Sequence, residues 1–227
     1  MVLGCAATMP ARLRPTAPIA AAALLVGDPG RALALAQELL EAPKMSNHAR
    51  GLWGYSGESA AGRPLTIQST GMGGPSAAVV LGDLAELGVR RAVRVGTCTA
   101  LREELEPGAL LAVEEAHAWS GRGGGAGEAV APDPELEARL REALGGAARV
   151  GIVASLDVLH GGGAPPPVQE GDVADMQTAA LLGAARELGI AAAAVLIVSE
   201  GAGGERLGDE ELEAAAKLAG KAAISAL

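Results

Sequence analysis

The sequence predicts one α/β domain with a mixed, mostly parallel central sheet that is flanked by helices. Three observations support this fold class: short apolar stretches alternate with segments of helical periodicity, no change in composition divides the chain, and 49% of its 227 residues are hydrophobic. Continuous apolar stretches bounded by turn residues are typical of strands buried on both faces, and their alternation with helices indicates an α/β fold. We expect an irregular arm over residues 1–18 and the α/β domain over residues 19–227.

The first half of this domain is predicted to begin with a buried strand over residues 19–26, which ends at the turn Gly27-Asp28-Pro29-Gly30. Leucine and alanine at helical spacing then predict a helix over 31–41, closed by Pro43. Gly88 supports the end of a second helix, because glycine is a common C-terminal cap. The other predicted elements here are strands over 52–57 and 64–70, a tight turn over 71–75, that second helix over 76–87, and strands over 92–96 and 109–113.

The second half continues the same alternation of strands and helices. The glycine-rich segment 121–127 predicts a surface loop. The other predicted elements are a helix over 133–144, a strand over 150–154, a Gly/Pro-rich segment over 161–167, a helix over 176–188, a strand over 191–198 and a last helix that begins at Asp209. Glycines follow the first two of these helices, which is typical of helix ends.

Charge and cysteine content exclude several classes of protein. The formal net charge of -9 argues against binding to nucleic acid or to an anionic membrane, since both need a basic surface. Small anions remain open as ligands, because a few buried arginines bind them whatever the overall charge. Cys5 and Cys98 are too few for a disulfide framework or a four-thiolate metal site. The longest apolar stretches, 19–26 and 190–198, are too short to span a bilayer, so we expect a cytoplasmic protein.

Four glycine-rich turns follow predicted strands, at residues 27–31, 71–75, 94–99 and 199–204. In α/β proteins, ligands bind where strands end and such turns begin. None of the four is a phosphate-binding Walker loop, since no Gly-Lys-Ser/Thr occurs, and none matches G-x-G-x-x-G between a strand and a helix. A dinucleotide-binding oxidoreductase is therefore weakly supported.

The turns carry a resemblance to a known family. The blocks occur in order along the chain: GDPGR at 27–31, STGMGGPS at 69–76, ELGV at 86–89, RVGTCTA at 94–100, DMQTA at 175–179 and VSE at 198–200. Together they resemble the nucleoside phosphorylase family that includes hexameric purine nucleoside phosphorylase and uridine phosphorylase. The resemblance implies a nucleoside phosphorylase-like fold from about residue 24 to the C-terminus.

The resemblance also implies a phosphate site. In it, Gly27 offers its backbone N–H, Arg31 and Arg94 supply charge and forked donors, and Thr97 adds a hydroxyl and a backbone donor. Arg50 matches an arginine that reaches the phosphate of a neighbouring subunit in this family. We therefore expect a homo-oligomer built from dimers, with a hexamer as one form. From the residues alone, a solvated position in a first helical turn is favoured for Arg31, and a structural salt bridge is an open alternative for Arg94.

The remaining site residues concern the sugar and the base. The resemblance places Met176 and Gln177 at the ribose and Leu159, His160 and Glu200 at the base. Glu200 and Arg94 are the expected catalytic residues, with Glu200 as the acid that protonates a departing purine. The alternatives from the residues alone are a core position for Met176 and a solvated strand end for Glu200.

Three departures from the family pattern bear on activity. Gln177 replaces a glutamate that grips the ribose hydroxyls, and an uncharged amide accepts such hydrogen bonds more weakly. On that ground alone, Gln177→Glu is expected to tighten ribose binding. Thr99 replaces a glycine in the phosphate turn, and the N-terminal arm has no histidine where the purine branch uses one.

These features predict phosphorolysis of a nucleoside to free base and ribose 1-phosphate. A purine is favoured and uridine remains open, because residues 161–165 carry neither the Gln nor the Arg with which the uridine branch recognises uracil. The partners are then a nucleoside and inorganic phosphate as co-substrate, with no organic cofactor and no metal, since no His/Cys/Asp cluster has ligand spacing. Two alternatives stay open: a nucleosidase that uses water, and a weakly catalytic paralogue that binds a nucleoside or base.

Overall fold

The computed structural model describes residues 12–119, 126–157 and 171–227, in which strands and helices alternate along most of the chain. The strands are β1 (Ala22–Val26), β2 (Leu40–Asn47), β3 (Gly54–Ser59), β4 (Pro64–Ser69), β5 (Arg91–Ala100), β6 (Leu110–Trp119), β7 (Ala126–Val130), β8 (Ala148–Leu156), β9 (Val173–Asp175) and β10 (Ala191–Glu200). The α-helices are α1 (Pro29–Leu39), α2 (Gly74–Glu86), α3 (Pro134–Leu144), α4 (Thr178–Leu188) and α5 (Asp209–Ala226).

All the described strands belong to one mixed sheet. Its order is β10-β6-β8-β9-β5-β1-β4-β3-β2, with β7 beside β6. Because β10 also pairs with β5, the strands β5, β10, β6, β8 and β9 close into a ring, from which β1, β4, β3 and β2 extend as an open sheet. The expected α/β class with a mixed sheet and flanking helices is confirmed. Among the described strands, five pairs are parallel and five are antiparallel, so the sheet is mixed without being mostly parallel.

The parallel strands fix where a ligand site can form. Strand β1 is parallel to β4 and to β5, and β5 is parallel to β10. Their carboxyl ends therefore lie along the same edge of the sheet, and the turns that follow them converge there. The turns that the sequence singled out after β1 and β4 are thus brought together with the end of β5 by strand order rather than by distance along the chain. The predicted turn over 94–99 is wrong, because these residues continue β5, which pairs with β10 on past Gly96.

Helices cover both faces of the sheet and form two hydrophobic cores. Helices α2 and α4 bury leucines such as Leu81 and Leu181 on one face, while α1, α3 and α5 bury Leu35, Leu140 and their neighbours on the other. Each fully buried leucine stabilises the fold by about 1.5–3 kcal/mol. Helix α5 packs with alanine and glycine, and at Gly220 a Cβ atom would lie 2.8 Å from Cδ1 of Leu39.

The structure differs from the predicted elements mainly in three strands. Residues 40 and 41, assigned to the first helix, belong to β2, which pairs antiparallel with β3. Pro43 is tolerated there because β2 is an edge strand and its register shifts between Glu41 and Lys44. Strand β7 begins within the predicted loop 121–127, and β9 has only three residues. The predicted Gly/Pro-rich segment 161–167 lies outside the described residues.

The described part of the N-terminal arm, residues 12–18, is bound to the domain without forming a helix or strand. The backbone N–H groups of Arg12 and Leu13 both donate to Oδ2 of Asp83 at 2.8 Å, and Leu13 is buried. The backbone N–H of Arg14 donates to Oδ1 of Asn47 at 2.8 Å. None of the helices in the described ranges combines the length and the hydropathy needed to cross a membrane.

Candidate active site

A cavity of about 390 Å³ opens at the carboxyl ends of the parallel strands. It lies between the β1–α1 turn, the β4–α2 turn, the end of β5 and the β9–α4 connection. The cavity brings together six residues singled out from the sequence: Gly27, Arg31, Arg94, Thr97, Met176 and Gln177. Residues that are up to 150 positions apart in the chain therefore share one site.

The β1–α1 turn forms one wall of this cavity. Asp28 caps helix α1, since its Oδ1 accepts a hydrogen bond from the backbone N–H of Arg31 at 2.7 Å. Pro29 occupies the first turn of the helix, where its missing N–H costs nothing. Gly27 lies beside the β4–α2 turn, since a Cβ atom there would be in ordinary contact, at 3.5 Å, with the carbonyl oxygen of Gly71. The N-terminus of α1 thus faces the cavity, which favours a bound anion.

The Arg31 guanidinium contributes positive charge to this wall. Burial lowers the pKa of Arg31 most, the Asp28 carboxylate opposes that shift, and the nearby Arg94 lowers the pKa further. Within the described ranges, no carboxylate forms an ion pair with this guanidinium. Two cationic groups therefore share the cavity while only Arg94 has a direct counter-charge, and this arrangement favours an anionic ligand.

Arg94 lies on β5 and is 3% exposed. Its Nη2 pairs with Oδ2 of Asp175 at 2.9 Å, its Nε donates to Oγ1 of Thr178 at 3.1 Å, and its Nη1 donates to Oε1 of Gln177 at 2.7 Å. The structural salt bridge considered from the sequence is thus present, and the same side chain also lines the cavity. The guanidinium fork carries further N–H groups that can bind a ligand.

Asp175 is held by more than its arginine. Its Oδ1 accepts a hydrogen bond from Oγ of Ser155 at 2.5 Å, and its Oδ2 accepts one from Oγ1 of Thr178 at 2.6 Å. Both hydroxyls offset the cost of burying the charged pair. Sequence reasoning missed Ser155 and Thr178. The Asp-x-x-Thr spacing was the sequence signal that could have indicated Thr178, because an aspartate three residues before a helical residue can accept from its backbone N–H. In the structure, the backbone N–H of Thr178, the first residue of α4, donates to the Asp175 carboxylate.

Met176 and Gln177 line the cavity from the β9–α4 connection, and Oε1 of Gln177 lies beside Gly27 of the β1–α1 turn. Met176 is half-buried, and Gln177 is 4% exposed while lining the cavity. Cys98 also lines the cavity and is buried. Burial raises the pKa of the Cys98 thiol most, Asp175 raises it further, and Arg94 opposes the shift. Cys98 is therefore a neutral thiol here.

Two other predicted site residues, Arg50 and Glu200, are not among the described residues that line this cavity. Arg50 is exposed in the short turn Ala49–Gly51, with a left-handed φ of 61°, and lines a separate surface hollow. Glu200 ends β10 opposite Thr99 of β5, and its Oε2 accepts a hydrogen bond from Nε of Arg206 at 3.1 Å. Leu159 and His160 lie outside the described residues. Among the residues that are described, no group of three or more His, Cys, Asp or Glu side chains could hold a metal ion.

Comparison with protein families gives a match over most of the chain. The profile described as "Phosphorylase superfamily" matches residues 21–227. Among curated proteins, the chain is similar to the DeoD-type purine nucleoside phosphorylase of Alkaliphilus metalliredigens, with 42% identity over 89 residues, or 39% of this chain and 38% of that protein. A DeoD-type relative from Oceanobacillus iheyensis shows 41% identity over 83 residues, or 36% of this chain and 35% of that protein. These alignments span less than two fifths of each relative's length.

Comparison with solved structures extends the likeness in fold to nearly the whole chain. A purine nucleoside phosphorylase from Toxoplasma gondii, solved with immucillin-H, superposes with a TM-score of 0.82 at 23% identity, and the match covers 92% of this chain and 90% of that one. A structure from a study of two uridine phosphorylases of Phytophthora capsici gives a TM-score of 0.79 at 22% identity and covers 94% and 93%. At these identities, the similarity is one of fold.

Proposed function

The chain belongs to the phosphorylase superfamily, and from this premise we propose that it cleaves the N-glycosidic bond of a nucleoside with inorganic phosphate. The products are the free base and a pentose 1-phosphate. The observation that carries the proposal is the placement of Arg31 and Arg94 in one cavity beside a helix N-terminus. Of these two arginines, Arg94 forms an ion pair with a described carboxylate and Arg31 does not. Forked guanidiniums bind phosphate through paired, charge-assisted hydrogen bonds, so phosphate fits this arrangement.

The phosphate is proposed to lie between Arg31 and Arg94. Gly27 and Thr97 also line the cavity, so the backbone N–H of Gly27 and the hydroxyl of Thr97 can donate to the phosphate oxygens. Buried guanidiniums hold an anion more strongly than exposed ones do, because water competes less with them. Arg31 is partly buried and Arg94 is almost completely buried, so both satisfy this condition.

The pentose is proposed to lie against Met176 and Gln177, with the base directed toward Glu200, Leu159 and His160. An oxygen of the phosphate then forms a bond to C1′ as the bond from C1′ to the base nitrogen breaks, and the bonding electron pair leaves with the base. Arg31 and Arg94 hold the phosphate oxygen in line with the breaking bond. Glu200, protonated beforehand, gives its proton to the purine ring as negative charge develops there.

Arg50 is proposed to complete a neighbouring subunit's phosphate site, so that the active form is a homo-oligomer. Its guanidinium is exposed and belongs to a surface hollow that also contains Arg12 and Arg14. In a chain with a net charge of -9, this local group of arginines fits a role in binding an anion at a subunit boundary.

A panel of nucleosides tests the proposed function. The chain is incubated with inosine, guanosine, adenosine or uridine, with and without phosphate, and free base is measured. We expect base release that depends on phosphate and is faster for purine nucleosides. The Arg31→Met variant is expected to fold but to release base more slowly. Equal release without phosphate would instead support the nucleosidase alternative, and binding without release would support the weakly catalytic paralogue.

A further inference from the structure

The side-chain amide of Gln177 forms hydrogen bonds within the protein through both its oxygen and its nitrogen. Its Oε1 accepts from Nη1 of Arg94 at 2.7 Å and lies 3.1 Å from Oγ1 of Thr70, whose single proton it shares with the carbonyl oxygen of Val26. Its Nε2 donates to the carbonyl oxygen of Gly71 at 2.6 Å and to that of Gly73 at 3.3 Å. The partners fix the orientation of the amide, because the carbonyls need a donor and the guanidinium needs an acceptor.

These four contacts join three separate parts of the cavity wall. Gln177 immediately precedes α4, Arg94 is on β5, and Gly71 and Gly73 belong to the β4–α2 turn. Both glycines have left-handed φ values, 72° and 81°, so the turn has a backbone shape that most other residues resist. The amide of Gln177 thus holds Arg94 and a conformationally special turn at a fixed separation.

A carboxylate at this position cannot make the same contacts. An ionised glutamate has acceptor oxygens only, so one of them would face the carbonyl oxygens of Gly71 and Gly73 without a proton between them. The other would place a negative charge against Arg94, which already pairs with Asp175. A protonated glutamate, by contrast, offers one donor and one acceptor, as the amide does.

We propose that Gln177 is a positioning residue for the phosphate end of the cavity, and that its amide clamps the Arg94 guanidinium to the Gly71–Gly73 turn. The proposal rests on the proposed function, because it concerns the same anion site. It reverses the expectation from the sequence alone: Gln177→Glu weakens the site instead of improving it. The clamp also leaves Arg94 with one direct carboxylate partner, Asp175, so that more of its charge is available to an anion.

Sulfate binding measured by calorimetry tests the clamp. Sulfate is a suitable probe because, unlike phosphate, it keeps its double charge between pH 5 and pH 8. The variants are Gln177→Glu, Gln177→Met and the matched control Gln37→Glu, which adds one negative charge at an exposed position on α1. The charged groups that surround position 177 are Arg94, Asp175, Arg31 and Asp28. They are the same in the parent chain and in the three variants, so the sulfate affinity of each variant is compared as a ratio to that of the parent.

We expect Gln177→Glu to bind sulfate at least tenfold more weakly than the parent at pH 8 and to recover part of that loss at pH 5. Burial and the facing carbonyl oxygens of Gly71 and Gly73 favour the protonated form of the new carboxyl, against the opposing effect of Arg94. Gln177→Met keeps the side-chain length without donor or acceptor, so its affinity falls severalfold at both pH values. Gln37→Glu stays within twofold of the parent. The pH-dependent recovery distinguishes a clamp from a general structural role, which would not respond to protonation.

Two results overturn the proposal in different ways. Parent-like sulfate affinity in Gln177→Glu at pH 8, or in Gln177→Met, shows that the amide does not position the anion site, while the proposed function stands. No sulfate or phosphate binding by the parent chain at either pH removes the anion site itself, and the proposed function fails with it. If Gln177→Glu does not fold at pH 8, Gln177→Met gives the deciding comparison.

Discussion

Gly96 is predicted to be required for the position of Arg94, two residues earlier on β5. A Cβ atom at Gly96 would lie 2.5 Å from Nη2 and 2.6 Å from Cζ of Arg94, and 2.7 Å from Cδ2 of Leu196. Ordinary contacts of this kind are 3.4–4 Å, so in Gly96→Ala the guanidinium has to move by about 1 Å. A misplacement of about 1 Å in a catalytic group costs on the order of 100-fold in rate.

The assay separates this displacement from a loss of folding. We expect Gly96→Ala to lower kcat/KM for phosphate by roughly 10- to 100-fold and to lower the free energy of unfolding by about 1–3 kcal/mol, as overpacking usually does. The matched control is Gly82→Ala on α2, where an added Cβ meets nothing within 4 Å and alanine should stabilise the helix by about 0.5–1 kcal/mol. Parent-like kinetics in a folded Gly96→Ala protein would refute the proposed placement of Arg94 in the phosphate site.

Four further predictions concern Arg31, Cys98 and Arg50. Arg31→Met should raise the dissociation constant for phosphate at least tenfold, whereas Arg139→Met, on the exposed face of α3, should leave it unchanged; calorimetry measures both. Cys98 should resist a disulfide reagent at pH 8 in a Cys5→Ser background until denaturant is added, because burial raises its pKa and keeps the thiol neutral. Because the pKa of Cys98 is higher in the folded than in the unfolded chain, the free energy of unfolding should fall as pH rises above about 8.5. Urea titrations of the Cys5→Ser protein, with and without Cys98→Ala, measure this contribution. Mixing Arg50→Ala with Arg31→Met chains should restore activity if Arg50 acts in a neighbouring site; mixtures no more active than their components would contradict that role.

Local sequence signals predicted the parts of the site that depend on local structure. The turn at 27–31 follows an apolar strand and contains an N-cap aspartate and a proline, and the structure gives it a helix N-terminus at the cavity. Arg94 could be singled out because a charge within an apolar strand needs a partner. Its partner, Asp175, lies on a three-residue strand whose pairing is entirely non-local, so no pattern in the sequence links the two.

The features that the sequence did not predict depend on strand order and on edge positions. The Gln177 amide bonds to residues 70, 71, 73 and 94, and these meet only because β5 joins both β1 and β9 in one sheet. Strand β2 was missed because its central residues are exposed and include Pro43, a pattern that an edge strand tolerates. Glu200 was expected at the base, and whether it reaches a bound nucleoside stays a prediction.

The identity of the sugar product tests the central proposal most directly. The chain is incubated with inosine and inorganic phosphate, and the phosphorus species are followed by NMR while free base is measured in the same sample. Phosphorolysis predicts that a pentose 1-phosphate appears in equal amount to the released base, with the same loss of inorganic phosphate. Release of base together with unphosphorylated ribose, while inorganic phosphate remains constant, would contradict the account.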